Sequence, residues 1–156
     1  SVVELDPAAP EHFAGLRQRF ETALCLNLLE YLDRPEETVK SLAGVLEPAG
    51  RLIVLVPQGP WLLGTVDRSM GHRRRFRADE IRRMMEENGL EVEAVHGLNK
   101  ASVLAWWLHG KLLRRKNLSK LVLKLFDKTV WLWRLADPIL PWPGLSLIVV
   151  GRKRGS

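Results

Sequence analysis

The chain has 156 residues, 46% hydrophobic and 27% charged, enough for one packed domain and too apolar for general disorder. A lone cysteine, Cys25, excludes an internal disulfide and a cysteine-rich zinc site, and no apolar run reaches the roughly 18 residues of a membrane span. The net charge of +6 is unevenly spread, with 5 Lys/Arg against 9 Asp/Glu in residues 1–66 and 19 against 9 in residues 67–156. Five of the six tryptophans share the basic part. That balance favours an anionic partner, whether a membrane surface, a phosphorylated substrate or nucleic acid. With no signal peptide at the start, a cytoplasmic location is the default expectation.

In chain order, Val2 to Asp6 reads as a short strand stopped by Asp6-Pro7, and residues 10–19 as a helical turn or a loop. Thr22 to Asn27 is a compact apolar run ending on a polar residue, the pattern of a parallel strand buried on both faces. The next helix has Pro35 in its first turn beside Glu36 and Glu37, where the helix dipole favours acid. Val39, Leu42, Ala43 and Leu46 recur at i, i+3, i+4 and i+7 as its apolar stripe, and Gly50 lies beyond its end. Leu52 to Val56 then predicts a second buried strand, closed by Pro57. Strand, helix and strand make a βαβ unit with a parallel sheet.

Residues 57–76 form a long Gly- and Arg-rich connection, a length usually kept for function. A helix is expected from Ala78 to Asn88, with Phe76 and Ile81 spaced as a hydrophobic staple and Gly89 as its stop. Leu90 to Val95 alternates apolar and acidic residues, a less buried strand. Helical stretches follow at about 100–115 and 118–136, and Leu145 to Val150 is a last apolar strand. The whole chain reads as one domain, with residues 99–142 as a helical insertion before that strand.

Phe20-Glu21-Thr22-Ala23-Leu24-Cys25-Leu26-Asn27-Leu28-Leu29-Glu30-Tyr31-Leu32 and Leu46-Glu47-Pro48-Ala49-Gly50-Arg51-Leu52 resemble the fourth-strand region and the approach to strand five of class I S-adenosylmethionine-dependent methyltransferases. Gly71-His72-Arg73-Arg74-Arg75-Phe76 resembles a G-H-x-R element of bacterial members, and Glu87-Asn88-Gly89-Leu90-Glu91-Val92 the turn into strand six. The resemblance implies an α/β, Rossmann-like fold, here the C-terminal portion of a mostly parallel sheet with a closing antiparallel strand. S-adenosylmethionine would be the cofactor and a small-molecule or lipid-linked compound the acceptor.

The departures from the family pattern are specific. None of the twelve glycines forms a G-x-G, so the loop whose backbone N–H groups approach the cofactor is absent from this sequence. The chain therefore reads as starting near the family's third strand, incomplete by itself. Its alternative is a non-catalytic fragment or subunit that dimerises, is completed by a missing N-terminal half, or associates with a membrane. Tyr31 also stands where the family has histidine, and a phenol with a pKa of about 10 is a poor base near neutrality.

By resemblance Asp6, Asn27, Leu28 and Glu30 face the cofactor. Asp6 reads equally as a turn aspartate before Pro7, Asn27 as a strand cap, and Glu30 as a structural hydrogen-bond partner. His72 and Tyr31 are the candidate catalytic pair, with a plain loop role open to His72. Trp61, Asp67, Gly71, Arg74 and Arg75 are the candidate substrate residues. Arg73, Arg74, Arg75 and Arg77 could together grip a phosphate or carboxylate, unless they form a solvated loop with one arginine pairing Asp67 or Asp79. No metal-ligand spacing links His12, His72, His96 and His109. Cys25, inside an apolar run, reads as core.

The insertion is the last informative stretch. Val103-Leu104-Ala105-Trp106-Trp107-Leu108 leads into Lys111, Arg114, Arg115 and Lys116, and Lys120, Lys124 and Lys128 follow as a stripe. Tryptophan beside lysine and arginine is the composition of helices lying in a bilayer interface. The rival is packing on the sheet, on itself or on a second subunit. These tryptophans do not alternate with arginine on strands, so no specific nucleic-acid platform is expected.

Overall fold

The apolar runs that alternate with amphipathic helices along the chain assemble into one four-stranded sheet. The computed structural model describes residues 6, 7, 9–16, 19–108, 111, 124, 128, 131, 137 and 139–155. All of the expected strand at Val2 to Asp6 except Asp6 itself, and most of the helix at 118–136, lie outside them. The strands are β1 (Phe20–Leu26), β2 (Leu46–Pro57), β3 (Leu90–Leu98) and β4 (Ser146–Lys153). The helices are α1 (Pro10–Ala14), α2 (Pro35–Val45), α3 (Thr65–Ser69), α4 (Ala78–Glu87) and α5 (Ser102–Trp107).

The sheet order is β1-β2-β4-β3. β1 pairs parallel with β2, whereas β4 runs antiparallel to both β2 and β3. Three strands therefore point one way around a single reversed strand, as expected. Pro57 and Leu98 both stand opposite Ser146, so β2 and β3 end level with each other. All loops that carry chemistry leave from that carboxyl edge, where open α/β sheets hold their ligands.

Two expectations about burial need correction. β1 is not buried on both faces: only Cys25 is fully enclosed, and Leu24 is 61% exposed. As the outermost strand of the described sheet it has one neighbour, β2, and lacks the second flank that would bury it. The helix stripe also stops short of Leu46, which opens β2 and is buried there. A short irregularity follows, because Phe20 pairs with Leu46 while Thr22 pairs with Arg51.

The core lies on the helix-covered face of the sheet. Leu52, Val54 and Val56 alternate inward along β2 and meet Leu147 and Val149 of β4, Val39 of α2, and Ile81 and Met85 of α4. Phe76 and Ile81 flank the start of α4, both fully buried, and the Arg77 N–H donates to Glu80 Oε2 at 2.7 Å. Gly89, at φ +75°, turns the chain into β3 where a Cβ would be strained.

Between β3 and β4 the chain makes a long excursion whose two ends are fastened together. Lys100 Nζ donates to the Leu140 carbonyl at 3.0 Å, and Trp142 Nε1 to the Lys100 carbonyl at 2.7 Å. The Ala101 N–H donates to Asp137 Oδ1 at 3.1 Å. Trp142, grouped by composition with the basic surface, is thus a staple at this neck.

Ile81→Val trims one methyl from the sealed staple. It is expected to cost about 1 kcal/mol, read as a lower urea midpoint with an unchanged slope.

Candidate functional site

The site is built where β1 and β2 end. β1 runs out at Asn27, whose φ of 49° is left-handed and whose N–H donates to the Leu55 carbonyl at 2.8 Å. That bend feeds a 3-10 turn, Leu29–Tyr31, which carries Glu30 inward and leaves Tyr31 exposed. From β2 the connection 57–76 leaves and comes straight back. The Phe76 N–H donates to the Pro57 carbonyl at 2.9 Å, and the Gly59 N–H to the Phe76 carbonyl at 3.0 Å. The connection is a closed loop containing the 3-10 turn Pro60–Leu62 and α3.

Inside that loop sits Asp67, completely buried. Its Oδ2 accepts the Gly64 N–H at 2.9 Å, as an acid in the first turn of α3 can, and Trp106 Nε1–H at 3.1 Å. Its Oδ1 accepts Arg75 Nε–H at 2.8 Å and lies 3.3 Å from His72 Nδ1. A carboxylate has about four acceptor sites, and all are used. Arg75 also donates through Nη1 to the carbonyls of Gln58 at 2.9 Å and Leu145 at 3.2 Å, and its guanidinium stands 5.0 Å from the Trp106 ring centroid. Burial lowers the Arg75 pKa, against the opposing pull of Asp67.

This fixes His72. With Asp67 ionised, the contact at Nδ1 requires the proton there, leaving Nε2 as an acceptor 3.2 Å from the Tyr31 hydroxyl. The two rings meet edge to face at 5.1 Å between centroids. Gly71, at φ +85°, makes the left-handed turn that precedes His72, with room left beside the Tyr31 ring. The result is a chain from buried carboxylate through imidazole to a phenol at the surface.

Glu30 is the odd member. It is 1% exposed, both carboxylate oxygens lack a hydrogen-bond partner, and Oε1 is 4.0 Å from His72 Nε2. Burial pushes its carboxyl above the usual glutamate range, against the pull of its own backbone N–H, His72 and Arg75. The same neighbourhood raises the Cys25 thiol to about 12, through burial first and Glu30 second, so Cys25 stays a protonated core residue.

The expected site residues are thus partly assembled. Glu30, Tyr31, Asp67, Gly71, His72 and Arg75 come together. Asp67 and Arg75, expected to face a substrate, are sealed inside and spend their polar atoms on the protein. The arginine run divides, two members going to Asp33 and one to Asp67. Arg73 pairs with the Asp33 carboxylate, Arg74 donates to the Asp33 carbonyl at 3.2 Å, and Arg75 turns inward. Trp61 stands half exposed just beyond β2, and Leu28 is half-buried beside Asn27. Asp6 begins the turn into α1, its N–H donating to His12 Nδ1 at 3.2 Å. Trp106, Gln58 and Leu145 were not anticipated as members: two act through backbone carbonyls, and Trp106 lies far along the chain.

Beside Tyr31 a surface pocket of about 350 Å3 is lined by Leu32, Asp33, Arg34, Glu37 and Arg73. Its charges are internally matched, with Arg34 Nη1 at 2.9 Å from Glu37 Oε1. It is open to solvent and next to the one phenol of the cluster.

A reversed strand between parallel ones, with a polar cluster on their carboxyl edge, defines a Rossmann-like α/β protein. Residues 2–95 match the family model for a methyltransferase domain, and the chain belongs to that family. Among solved structures it is similar to a SAM-dependent methyltransferase from Archaeoglobus fulgidus, at 14% identity and a TM-score of 0.61, covering 97% of this chain and 66% of that one. An O-methyltransferase family protein from Burkholderia thailandensis matches at 14% identity and a TM-score of 0.58, over 99% of this chain and 36% of that one. A cyclase shares the fold at 17% identity and a TM-score of 0.55, with 97% and 55% covered. The chain thus spans between about one third and two thirds of the length of these structures. No curated protein matches it.

A glutamate whose folded-state pKa is raised favours folding while protonated, and penalises it once pH passes its ordinary value of 4.5. Glu30→Gln removes that ionisation. Its stability relative to the parent is expected to be flat below about pH 4.5 and to rise steadily above it toward pH 8. Thermal melts across that range check it; a constant offset would contradict the assignment.

Proposed function

We propose that this chain forms the acceptor side of an S-adenosylmethionine-dependent methyltransferase acting on a small-molecule or lipid-linked acceptor. One observation carries the reading: a surface hydroxyl, Tyr31, is wired through His72 to a buried carboxylate at the ligand-bearing edge of the sheet. Residues fitting one side of the cofactor are present. Asn27 is exposed at the carboxyl end of β1 beside Leu28, Asp6 is exposed in the segment before α1, and the glycine loop must come from elsewhere.

When bound, the sulfonium supplies an electrophilic methyl group, which leaves the protein two tasks: alignment and removal of a proton. Trp61 and the pocket beside Tyr31 position the acceptor. As its O–H or N–H gains the methyl, its proton passes to the Tyr31 oxygen while the Tyr31 proton moves to His72 Nε2. The imidazolium so formed lies between Asp67 at Nδ1 and Glu30 near Nε2. Asp67 favours it, so the phenol relays the proton without acting as the final base.

The second reading is a non-catalytic subunit, favoured by one feature. Leu24 and Leu26 stand exposed on β1, which among the described residues is the outermost strand, its second backbone flank a template for another strand. In the enzymatic reading the rest of a methyltransferase sheet covers it; in this reading a second copy or another polypeptide does. Either way the reading sets the protein in the cytoplasm.

Calorimetry with S-adenosylhomocysteine and a methyl-transfer assay separate the two. Tyr31→Phe is expected to lower kcat by about 100-fold or more with donor affinity unchanged. Donor binding without any transfer, in parent and variant alike, would favour the subunit.

A further inference from the structure

We propose that the outer face of α5 and the basic stretch after it dock on an anionic lipid bilayer, bringing the carboxyl edge of the sheet to a headgroup-borne acceptor. The rotation of α5 is set by two inward anchors. Val103 is buried, and Trp106 is tied to Asp67. With those residues turned in, Leu104, Trp107 and Leu108 are left outside, with exposures of 59%, 43% and 39%. Leu104 and Trp107, three residues apart, share the outer face of α5, and the exposed Leu108 and Lys111 follow its last residue.

The charge decides the occupant. Residues 100–136 contain nine Lys/Arg and a single acid, Asp127. Lys111, Lys124 and Lys128 are exposed, as is Trp131. A second copy of the chain would bring a stretch with the same excess of positive charge, which disfavours self-association through it. A nucleic acid would satisfy the lysines but leave leucine and tryptophan in water. An anionic bilayer satisfies both. Aromatic and aliphatic side chains enter the headgroup boundary while lysines bury their stems and keep their heads at the phosphates. Among the described residues no helix is long and apolar enough to cross a membrane, so the contact is interfacial.

The position makes the contact useful. α5 starts just beyond the end of β3 and packs near the 3-10 turn that carries half-exposed Trp61. The lipid-facing surface therefore borders the edge that holds Tyr31. The choice of a lipid-linked acceptor rests on the methyltransferase reading; membrane binding does not.

The test is co-sedimentation of the full chain with vesicles of phosphatidylcholine alone or containing phosphatidylglycerol, with no methyl donor or acceptor added. Binding to the anionic vesicles is expected to be at least about tenfold stronger and to fall in high salt. Leu104→Glu/Trp107→Glu, and separately Lys111→Glu/Lys124→Glu/Lys128→Glu, should each reduce it about tenfold or more at an unchanged melting temperature. Equal binding to both vesicles, no binding, or variants that bind like the parent would overturn the proposal. So would a dimer in light scattering that both variants dissociate. None of these outcomes bears on methyl transfer, so the two readings fail separately.

Discussion

One buried carboxylate holds the carboxyl edge of this domain together. Asp67 takes hydrogen bonds from the start of α3, from the loop after it, from the end of the 57–76 connection and from α5. Arg75 extends the reach to the carbonyls just after β2 and just before β4. A buried ion pair of this kind adds little net stability over a well-packed apolar substitute, because both ions are stripped of water. Its effect is to fix register. Because donors from four separate positions converge on one carboxylate, the loop, the helix and the imidazole are placed as a set.

The same set explains how an unpartnered glutamate persists beside it. Glu30 is enclosed by Cys25, His72 and the turn that follows β1, and its pKa is raised by that enclosure. A group in this state costs stability at neutral pH, and the domain carries the cost at the place where its polar residues converge. Local penalties of this sort gather at working sites, where neighbouring structure over-determines them.

Much of the fold was legible because periodicity is a direct consequence of which face is buried. The strand, helix and strand around α2, the staple into α4 and the final strand follow from spacing alone. The burial of β1 was not legible, since an apolar run reads the same in a central strand and at an edge. The Asp67 hub was hidden for a different reason. Its partners come from positions 64, 72, 75 and 106, and a run of arginines in sequence gives no sign of which one turns inward. Gly71 was the available clue: a residue free to adopt positive φ immediately before a histidine marks a chain reversal that can aim the ring.

The neck at Lys100, Ala101, Asp137, Leu140 and Trp142 has an evolutionary consequence. Because the excursion is tied shut at its root, what lies beyond α5 can lengthen, shorten or be exchanged without disturbing the pairing of β3 with β4. Loop closure is tolerant of such change, with a doubling of length costing only about 0.6 kcal/mol. The domain can therefore keep one sheet edge and one buried hub while descent tries different appendages on the same root, each bringing a different surface within reach of Tyr31.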